Sequence, residues 1–304
     1  CWTHDEMPDL LSPAELEPAV RCFGLTREGK FVDHSDPDPL PGQNVLSIQH
    51  PELKLEEDKL LASSKRKLLA ARDRRVRPHR DDKILASWNG LMMGAFAQAY
   101  AVLGDAEYLD AARSNLAFVR DRLWDPSSRT LYHRWRDGER DSVQLLSAYA
   151  FLLSGTVDLY EATLDPDTLD FTMELVDSMV ARFFDRKNGG FWQSGPDSKD
   201  LFLRTKEDYD GAEPSGNSVA VLALLRLAGI TGRDDLAKAS EQTLQLYAGR
   251  LREQPGALPH LLLAAAMWME QRPRVVIAGD TRSPAGAELL HAAHSVHRPF
   301  KVVL

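Results

Sequence analysis

The 304-residue sequence contains only two cysteines, Cys1 and Cys22. A secreted chain of this length usually carries more, so we expect a cytoplasmic protein in a reducing compartment. No apolar run approaches the roughly 18 residues that a membrane-spanning helix needs, and no basic head followed by an apolar stretch marks a secretion signal. The sequence begins with Cys rather than Met, which predicts a fragment or a processed product.

An excess of positive charge is also absent. The formal net charge is −8, and it resides in residues 1–62, which hold thirteen acids and five bases, whereas residues 63–304 hold thirty-two of each. A neutral body argues against nucleic-acid binding, because a basic face supplies most of that affinity. His133 and His260 lack a second ligand at metal spacing, and no phosphate loop, nucleophile elbow or Cys-x-x-Cys is present. We therefore expect no metal and no cofactor.

The first part of the chain differs in composition from the rest. Ser12-Pro13-Ala14-Glu15 predicts a helix start, with Ser as N-cap, and this helix should end near Phe23. Residues 29–51 are rich in Asp, Pro and Gly, which indicates a loop, and a second helix is expected from about Leu55 to Arg75. We predict an acidic segment at 1–54, helical hairpins at 55–272 and a small α/β tail at 273–304.

Three helix hairpins are predicted in the middle of the chain, at residues 84–103 with 106–123, 144–163 with a partner helix ending at Phe183, and 216–229 with 234–250. The segments between hairpins repeat after sixty positions. Leu123-Trp124-Asp125 and Leu131-Tyr132 correspond to Phe183-Phe184-Asp185 and Phe191-Trp192. A fixed period of this size indicates stacked units of supersecondary structure.

The two helices of each hairpin differ in kind. The first is apolar on nearly every side and must be covered all round, whereas the second has an apolar stripe on one side. This difference favours an α/α-toroid, in which an outer ring of helices wraps an inner ring, over an α-solenoid, whose helices are usually both amphipathic. The tail, with an apolar strand from 274 to 280, a helix from 284 to 296 and a strand from 301, predicts a β-α-β unit.

Polar clusters lie at the start of each inner helix, and parallel inner helices would bring them to one face. The clusters are Asp81-Asp82-Lys83 with Trp88-Asn89, Ser147-Ala148-Tyr149, and the run Arg204, Lys206, Asp208, Asp210, Glu213, Ser215 and Asn217. Helix N-termini favour anions and hydroxyl oxygens, so this face could form a polar cleft. Each cluster also has a structural interpretation: the aspartates could cap helices, and Trp88 and Tyr149 could be core aromatics.

The sequence motifs resemble the spermatogenesis-associated, thioredoxin-domain-containing family, the DUF255 group. The likeness covers essentially the whole chain and rests on four stretches: 42–46 (GQNVL), 82–92 (DKILASWNGLM), 158–162 (DLYEA) and 204–219 (RTKEDYDGAEPSGNSV). It implies a six-hairpin glycosidase-like (α/α)6-barrel, similar to N-acylglucosamine 2-epimerases and glycoside hydrolases. It also implies a thioredoxin-like domain and upstream hairpins that are missing here, and that complete the ring in cis or in trans.

Two functions follow as hypotheses. The first is a carbohydrate-active barrel, epimerase- or hydrolase-like, that takes a sugar or small polar ligand. Asp82, Asp210 and Glu213 are then the acid/base candidates. Its substrate-binding candidates are Trp88, Tyr149 and Trp192 for stacking, and Asn89, Arg204, Lys206 and Asn217 for hydroxyl groups. The second is an inactive scaffold that binds a ligand or docks a thioredoxin-like domain. A departure favours the second: the family usually has an acidic pair where this chain has Ser147-Ala148.

Overall fold

A computed structural model describes residues 1–53, 57–196, 202–270 and 273–304. Within these residues the chain is mainly helical, as predicted, with eleven α-helices and strands of two or three residues. It divides into two compact units, Cys1–Asp81 and Asp82–Leu304. None of the helices within the described ranges combines the length and the hydropathy that crossing a bilayer requires.

The first unit contains a short antiparallel pair, β1 (Trp2–Thr3) and β2 (Gln43–Asn44), and three helices, α1 (Met7–Leu10), α2 (Pro13–Phe23) and α3 (Asp58–Asp73). The predicted start of α2 is observed: the Glu15 carboxylate accepts hydrogen bonds from the Ser12 backbone N–H at 2.8 Å and from its hydroxyl at 2.7 Å. Lys67 of α3 donates to the same carboxylate at 2.6 Å. The start of α2 is therefore tied to α3.

Helix α3 belongs to this first unit, whereas the sequence placed it with the hairpins. Leu61 and Leu68 of α3 share a hydrophobic core with Trp2 and Met7, which explains the grouping. The predicted helix start at Leu55 lies outside the described residues, and the helix is observed from Asp58.

The second unit holds the three predicted hairpins. They are α4 (Ala86–Leu103) with α5 (Ala106–Arg122), α6 (Leu146–Thr163) with α7 (Pro166–Phe183), and α8 (Gly216–Thr231) with α9 (Asp234–Glu253), followed by α10 (Pro259–Met269). Short strands lie between them: β3 (Ile84–Leu85), β4 (Trp124–Asp125), β5 (Thr130–Leu131), β6 (Arg134–Arg136) and β7 (Glu139–Arg140). Strands β3, β6 and β7 form one antiparallel sheet, and β4 pairs with β5. Residues 84–85, predicted as helix, are strand β3.

The first helices of the hairpins stand side by side as an inner row. Helix α4 packs on α6, α6 on α8, and α8 on α10, while each of α5, α7 and α9 packs on its own hairpin partner. Helix α10 was not predicted. It packs on α8 and is therefore a fourth member of the inner row.

Two glycines permit the close approach of α4 and α6. A Cβ atom on Gly90 would lie 2.5 Å from the backbone nitrogen of Leu152, and a Cβ on Gly155 would collide with the carbonyl oxygen of Gly90. No side chain fits at such a distance, so these positions in helix interiors favour glycine despite its cost to helix stability. The result is a helix contact made backbone against backbone.

For the middle of the row, burial confirms the prediction that the first helix of a hairpin is covered on nearly every side. Nearly every residue of α6 and α8 is buried. The two outer members of the row, however, each expose an apolar face. The exposed side chains are Leu91, Met92, Val102 and Leu103 on α4, and Leu262, Leu263, Trp268 and Met269 on α10. Both end helices of the inner row therefore present exposed apolar surfaces.

The tail forms the predicted β-α-β unit, with β8 (Arg274–Val275) parallel to β9 (Val302–Val303) and α11 (Pro284–Ser295) between them. Strand β8 is shorter than predicted. A buried ion cluster joins the tail to the inner row: Arg226 pairs with Glu161 and, at 2.7 Å, with Asp158. The second Glu161 oxygen accepts the Val303 N–H at 3.0 Å. The resemblance motif at 158–162 thus has an architectural role.

Candidate functional site

Two inner helices begin with the same backbone contact. The N–H of Ala86, the first residue of α4, donates to the carbonyl of His133 at 2.9 Å, and the N–H of Leu146, the first residue of α6, donates to the carbonyl of Gln193 at 3.0 Å. The two donors are sixty positions apart in the sequence, and so are the two acceptors. The inter-hairpin segments therefore hold the helix N-termini at one face.

Asp210 joins the other two N-termini to each other. Its carboxylate accepts the N–H of Ser215, the N-cap of α8, at 2.8 Å, and the N–H of His260, in the first turn of α10, also at 2.8 Å. The start of α8 also lies against α6, since a Cβ on Gly216 would lie 2.9 Å from the Leu146 side chain. We call the surface at the first turns of these four helices the inner-helix mouth; it is defined by Ala86, Leu146, Gly216 and Pro259.

Trp88 and Glu213 meet at the inner-helix mouth although they are 125 positions apart. The indole N–H of Trp88 donates to Glu213 Oε2 at 3.1 Å. Trp88, in the first turn of α4, is 62% exposed, and Glu213, just before α8, is also exposed. These two residues, both selected from the sequence, are thus in contact while each side chain remains exposed.

The neighbouring polar residues on α4 and just before β3 are engaged within the protein. Asp82 forms an ion pair with Arg136 of β6 at 2.9 Å. The Asn89 side chain donates to the carbonyl of Leu85 at 2.9 Å and accepts from the Asn115 amide at 3.1 Å, which ties α4 to α5. Both residues lie near the inner-helix mouth, and their polar atoms already have protein partners.

Tyr149 does not reach the inner-helix mouth. Its side chain is fully buried, its ring packs edge-on against Phe183 at 5.1 Å, and its hydroxyl accepts the N–H of Leu131 at 2.7 Å. Burial raises the pKa of this phenol. Of the two interpretations of the sequence, the structure therefore matches the core aromatic, and the expected stacking on a sugar is corrected.

Asn217 is likewise buried. Its side-chain oxygen accepts the N–H of Phe191 at 2.7 Å, and its amide donates to the carbonyls of Phe191 at 2.9 Å and Glu207 at 3.0 Å. All three contacts are to backbone groups, so this side chain holds the loop before α8 and does not orient a hydroxyl group at the surface.

Trp192, Arg204 and Lys206 form a cluster with one another. The Lys206 amine lies 4.5 Å from the centroid of the Trp192 ring and the Arg204 guanidinium lies 5.3 Å from it. Lys206 also bonds Asp185 at 2.8 Å, and Arg204 donates to the carbonyl of Ser194 at 2.7 Å. The Lys206 amine holds the pKa of the Asp185 carboxyl well below its ordinary value. The predicted sugar contacts of this group are occupied by contacts within the chain.

Two residues of the site were missed from the sequence. Arg136, the partner of Asp82, lies on a hairpin whose Asp137-Gly138 turn could have indicated the strand pair β6–β7. Tyr209 lies in the run from Arg204 to Asn217, and its ring is 59% exposed. An exposed aromatic side chain in a rigid polar segment is the signal that could have identified it.

Comparisons with known proteins show relatives that match the chain along its whole length. No protein-family model matches the chain. Human spermatogenesis-associated protein 20 is 34% identical over 332 residues, and the mouse protein of the same name is 33% identical over 331 residues. Both alignments cover 100% of this chain and 42% of the relative. The chain thus spans less than half the length of these relatives.

Solved structures share the fold. A GH76 alpha-mannanase of Bacteroides thetaiotaomicron superposes with a TM-score of 0.50 at 15% identity, covering 80% of this chain and 68% of the mannanase. A cellobiose 2-epimerase of Spirochaeta thermophila superposes with a TM-score of 0.46 at 23% identity, covering 54% of this chain and 43% of the epimerase. At such identities the likeness concerns the fold. The chain is thus strongly homologous along its whole length to spermatogenesis-associated protein 20, and it has the helix-hairpin architecture of the six-hairpin (α/α)6-barrels.

Proposed function

We propose that the inner-helix mouth binds carbohydrate and that the chain is part of a carbohydrate-active barrel, epimerase- or glycosidase-like. The observation that carries this proposal is the Trp88–Glu213 pair, in which an exposed indole and an exposed carboxylate from distant segments meet at 3.1 Å. An aromatic face beside a carboxylate suits a pyranose, which offers apolar C–H faces and hydroxyl donors.

Glu213 is the acid/base group of the proposed reaction. The Trp88 indole N–H binds Oε2 and fixes the direction of the carboxylate, while the group stays open to solvent. Epimerisation and glycoside hydrolysis both require a carboxyl or similar group that transfers a proton at the sugar. The dipoles of the inner helices point their positive ends at the mouth, where they favour sugar oxygens that gain negative charge.

Asp82 and Asp210 take positioning roles in this proposal, although the sequence suggested all three acids for catalysis. Asp82 is paired with Arg136, and Asp210 is engaged with the N–H groups of Ser215 and His260. The oxygens of these two carboxylates are therefore already engaged by groups of the protein. Their contacts support a rigid frame around Glu213.

The test is binding of monosaccharides, N-acylated sugars and short oligosaccharides, followed by thermal shift and calorimetry. A bound sugar stabilises the folded protein by mass action, so the wild type should melt at a higher temperature with ligand. Trp88→Ala should lose most of that shift. Glu213→Gln should retain binding and lose epimerase or hydrolase activity, because the amide still accepts the indole hydrogen bond but transfers no proton.

Matched controls lie far from the inner-helix mouth. Glu241→Gln changes an acid on the outer helix α9, and Trp268→Ala removes an exposed indole from α10. Both should bind sugars as the wild type does. Absence of a shift with every sugar in a well-folded sample would contradict the proposal, as would equal losses in the control variants.

The second candidate is an inactive scaffold that binds a ligand or docks a thioredoxin-like domain. The engagement of Asp82 and Asp210 favours it, because the second carboxylate of a glycosidase pair is then not supplied by either of them. Under this alternative, sugars bind without turnover or not at all, and a thioredoxin-like domain added in trans binds with measurable heat. Turnover that depends on Glu213 would exclude it.

Completion of the ring by upstream hairpins, in cis or in trans, is part of the proposal. Exposed apolar faces on α4 and α10 support it, as does the greater length of the relatives. In a full-length relative, amide exchange of α4 should be slower by about tenfold or more than in this chain alone, because burial blocks local opening. Equal exchange rates would show that nothing covers α4.

We also propose that the protein is located in the cytoplasm, and fractionation of cells with a tagged full-length protein tests this location.

A further inference from the structure

A second exposed aromatic residue lies on the turn that carries Glu213. The Tyr209 ring packs over Gly211, since a Cβ on Gly211 would lie 3.0 Å from the Tyr209 Cε1 atom. The N–H of Gly211 donates to the carbonyl of Glu213 at 3.0 Å. The ring and the carboxylate are thus attached to one short turn, and Gly211 leaves room for the ring.

This turn is anchored on both sides. Asp210 donates its N–H to the carbonyl of Ala257 at 2.9 Å, and its carboxylate accepts the N–H groups of Ser215 and His260. A turn fixed at α8 and at α10 presents its side chains in a constant direction. Tyr209 is nevertheless 59% exposed, so its ring does not serve mainly to fill the core.

We propose that Tyr209 is a second stacking platform and that the site takes saccharides of two or more pyranose units. Trp88 donates to the Glu213 carboxylate, and the Tyr209 ring packs on Gly211, two residues before Glu213, so the two rings come from different elements that meet at this turn. One sugar ring stacks on Trp88, and the next stacks on Tyr209. This inference rests on the proposed function and specifies its substrate class.

The experiment is calorimetric titration of the purified protein with glucose, cellobiose and cellotriose, and with mannose and α-1,6-mannobiose. In the wild type we compare cellobiose with glucose and α-1,6-mannobiose with mannose. In the pair that binds better, the disaccharide should have a Kd about tenfold or more below that of the monosaccharide, because one additional sugar ring stacks. Tyr209→Ala should reduce that ratio to about twofold or less and leave the monosaccharide Kd unchanged, whereas Tyr209→Phe, which keeps the ring, should preserve the ratio.

Gly211→Ala is an independent variant, because the added methyl group displaces the Tyr209 ring while the ring itself is retained. It should lower the ratio by less than Tyr209→Ala does, because the exposed ring has to move by only a few tenths of an ångström. A wild-type ratio in Tyr209→Ala, or equal affinity for one and two sugar units in the wild type, would overturn this inference and leave the proposed function intact. Failure of every saccharide to bind the wild type would overturn both.

Discussion

The two segments that connect the hairpins, 123–145 and 184–215, share a set of contacts, but these contacts are more buried in the second segment than in the first. Each has an aspartate that accepts the N–H of the residue two positions on, a cation paired with that aspartate, and an aromatic ring under the cation. The members are Asp125, Arg140 and Tyr132 in the first segment and Asp185, Lys206 and Trp192 in the second. Groups that the sequence suggested as sugar contacts are therefore part of a repeated structural unit.

The second segment is held more tightly than the first. The Asp125–Arg140 pair is 3.6 Å long with side chains 23% and 37% exposed, whereas the Asp185–Lys206 pair is 2.8 Å long with side chains 10% and 12% exposed. Helix α9 supplies the difference, because Thr243 accepts the N–H of Gly190 at 3.2 Å and covers the turn. The same local motif gains strength when the next hairpin buries it.

In both segments one buried backbone N–H is bonded to a side-chain acceptor, and the two acceptors are different residue types. The N–H of Leu131 is accepted by the Tyr149 hydroxyl, and the N–H of Phe191, sixty positions on, by the Asn217 side chain. Each acceptor comes from the first turns of the next inner helix. The Asn217 amide also donates to two carbonyl oxygens, so Asn217 makes more hydrogen bonds to its segment than Tyr149 does.

The largest effect is expected for Asn217→Ala. It leaves the buried N–H of Phe191 without an acceptor and two carbonyls without their donor, which should lower the free energy of unfolding by about 3 kcal/mol. Urea denaturation followed by circular dichroism measures the change. Gln245→Ala, an exposed change on α9, should stay within about 0.5 kcal/mol of the wild type. A loss below about 1 kcal/mol in Asn217→Ala would refute the structural role.

Tyr149→Phe tests the equivalent contact in the first segment. It removes a single hydroxyl and leaves one buried N–H unpaired, so the unfolding free energy should fall by about 1–2 kcal/mol in the same assay. The ring packing on Phe183 is retained. If Tyr149→Phe costs as much as Asn217→Ala, the two segments do not differ in the way that their contacts indicate.

Acid should weaken the second segment more than the first. Lys206 lowers the folded-state pKa of Asp185, and bonds from Ser127 lower that of Asp125 by a smaller amount. A depressed folded-state pKa gives stability that is present above the unfolded-state value of about 4 and is lost as the pH falls below it. Because the folded-state pKa of Asp185 is the lower of the two, its contribution continues to be lost further into acid, so Asp185→Asn should remove more of the stability lost between about pH 4 and pH 2 than Asp125→Asn. Equal acid profiles for the two variants would contradict this comparison.

Much of the architecture could be predicted from the sequence, because helix periodicity and the sixty-residue repeat are local or periodic signals. The roles of Tyr149, Asn217 and Asp210 could not. Polar residues at the start of an inner helix serve equally well as ligand contacts or as partners of backbone groups. The choice depends on which backbone N–H lies within reach, and for Asp210 that group is fifty positions away at His260. Helix α10 escaped prediction because it is only eleven residues long and its apolar run is not followed in the sequence by an amphipathic partner that would mark a hairpin.

The smallest effect on stability is expected at the end of the second segment, where Glu213 departs from this pattern. The aspartates of the two segments are tied to cations, but Glu213 is exposed and bonded to an exposed indole. Glu213→Gln should therefore change the unfolding free energy by less than about 0.5 kcal/mol, the range of ordinary surface substitutions. Since the proposed function assigns proton transfer to this carboxylate, the same variant should abolish turnover. A large stability loss in Glu213→Gln would show that this carboxylate has a structural role, as Asp125 and Asp185 do. It would contradict the assignment of Glu213 as the acid/base residue of the inner-helix mouth.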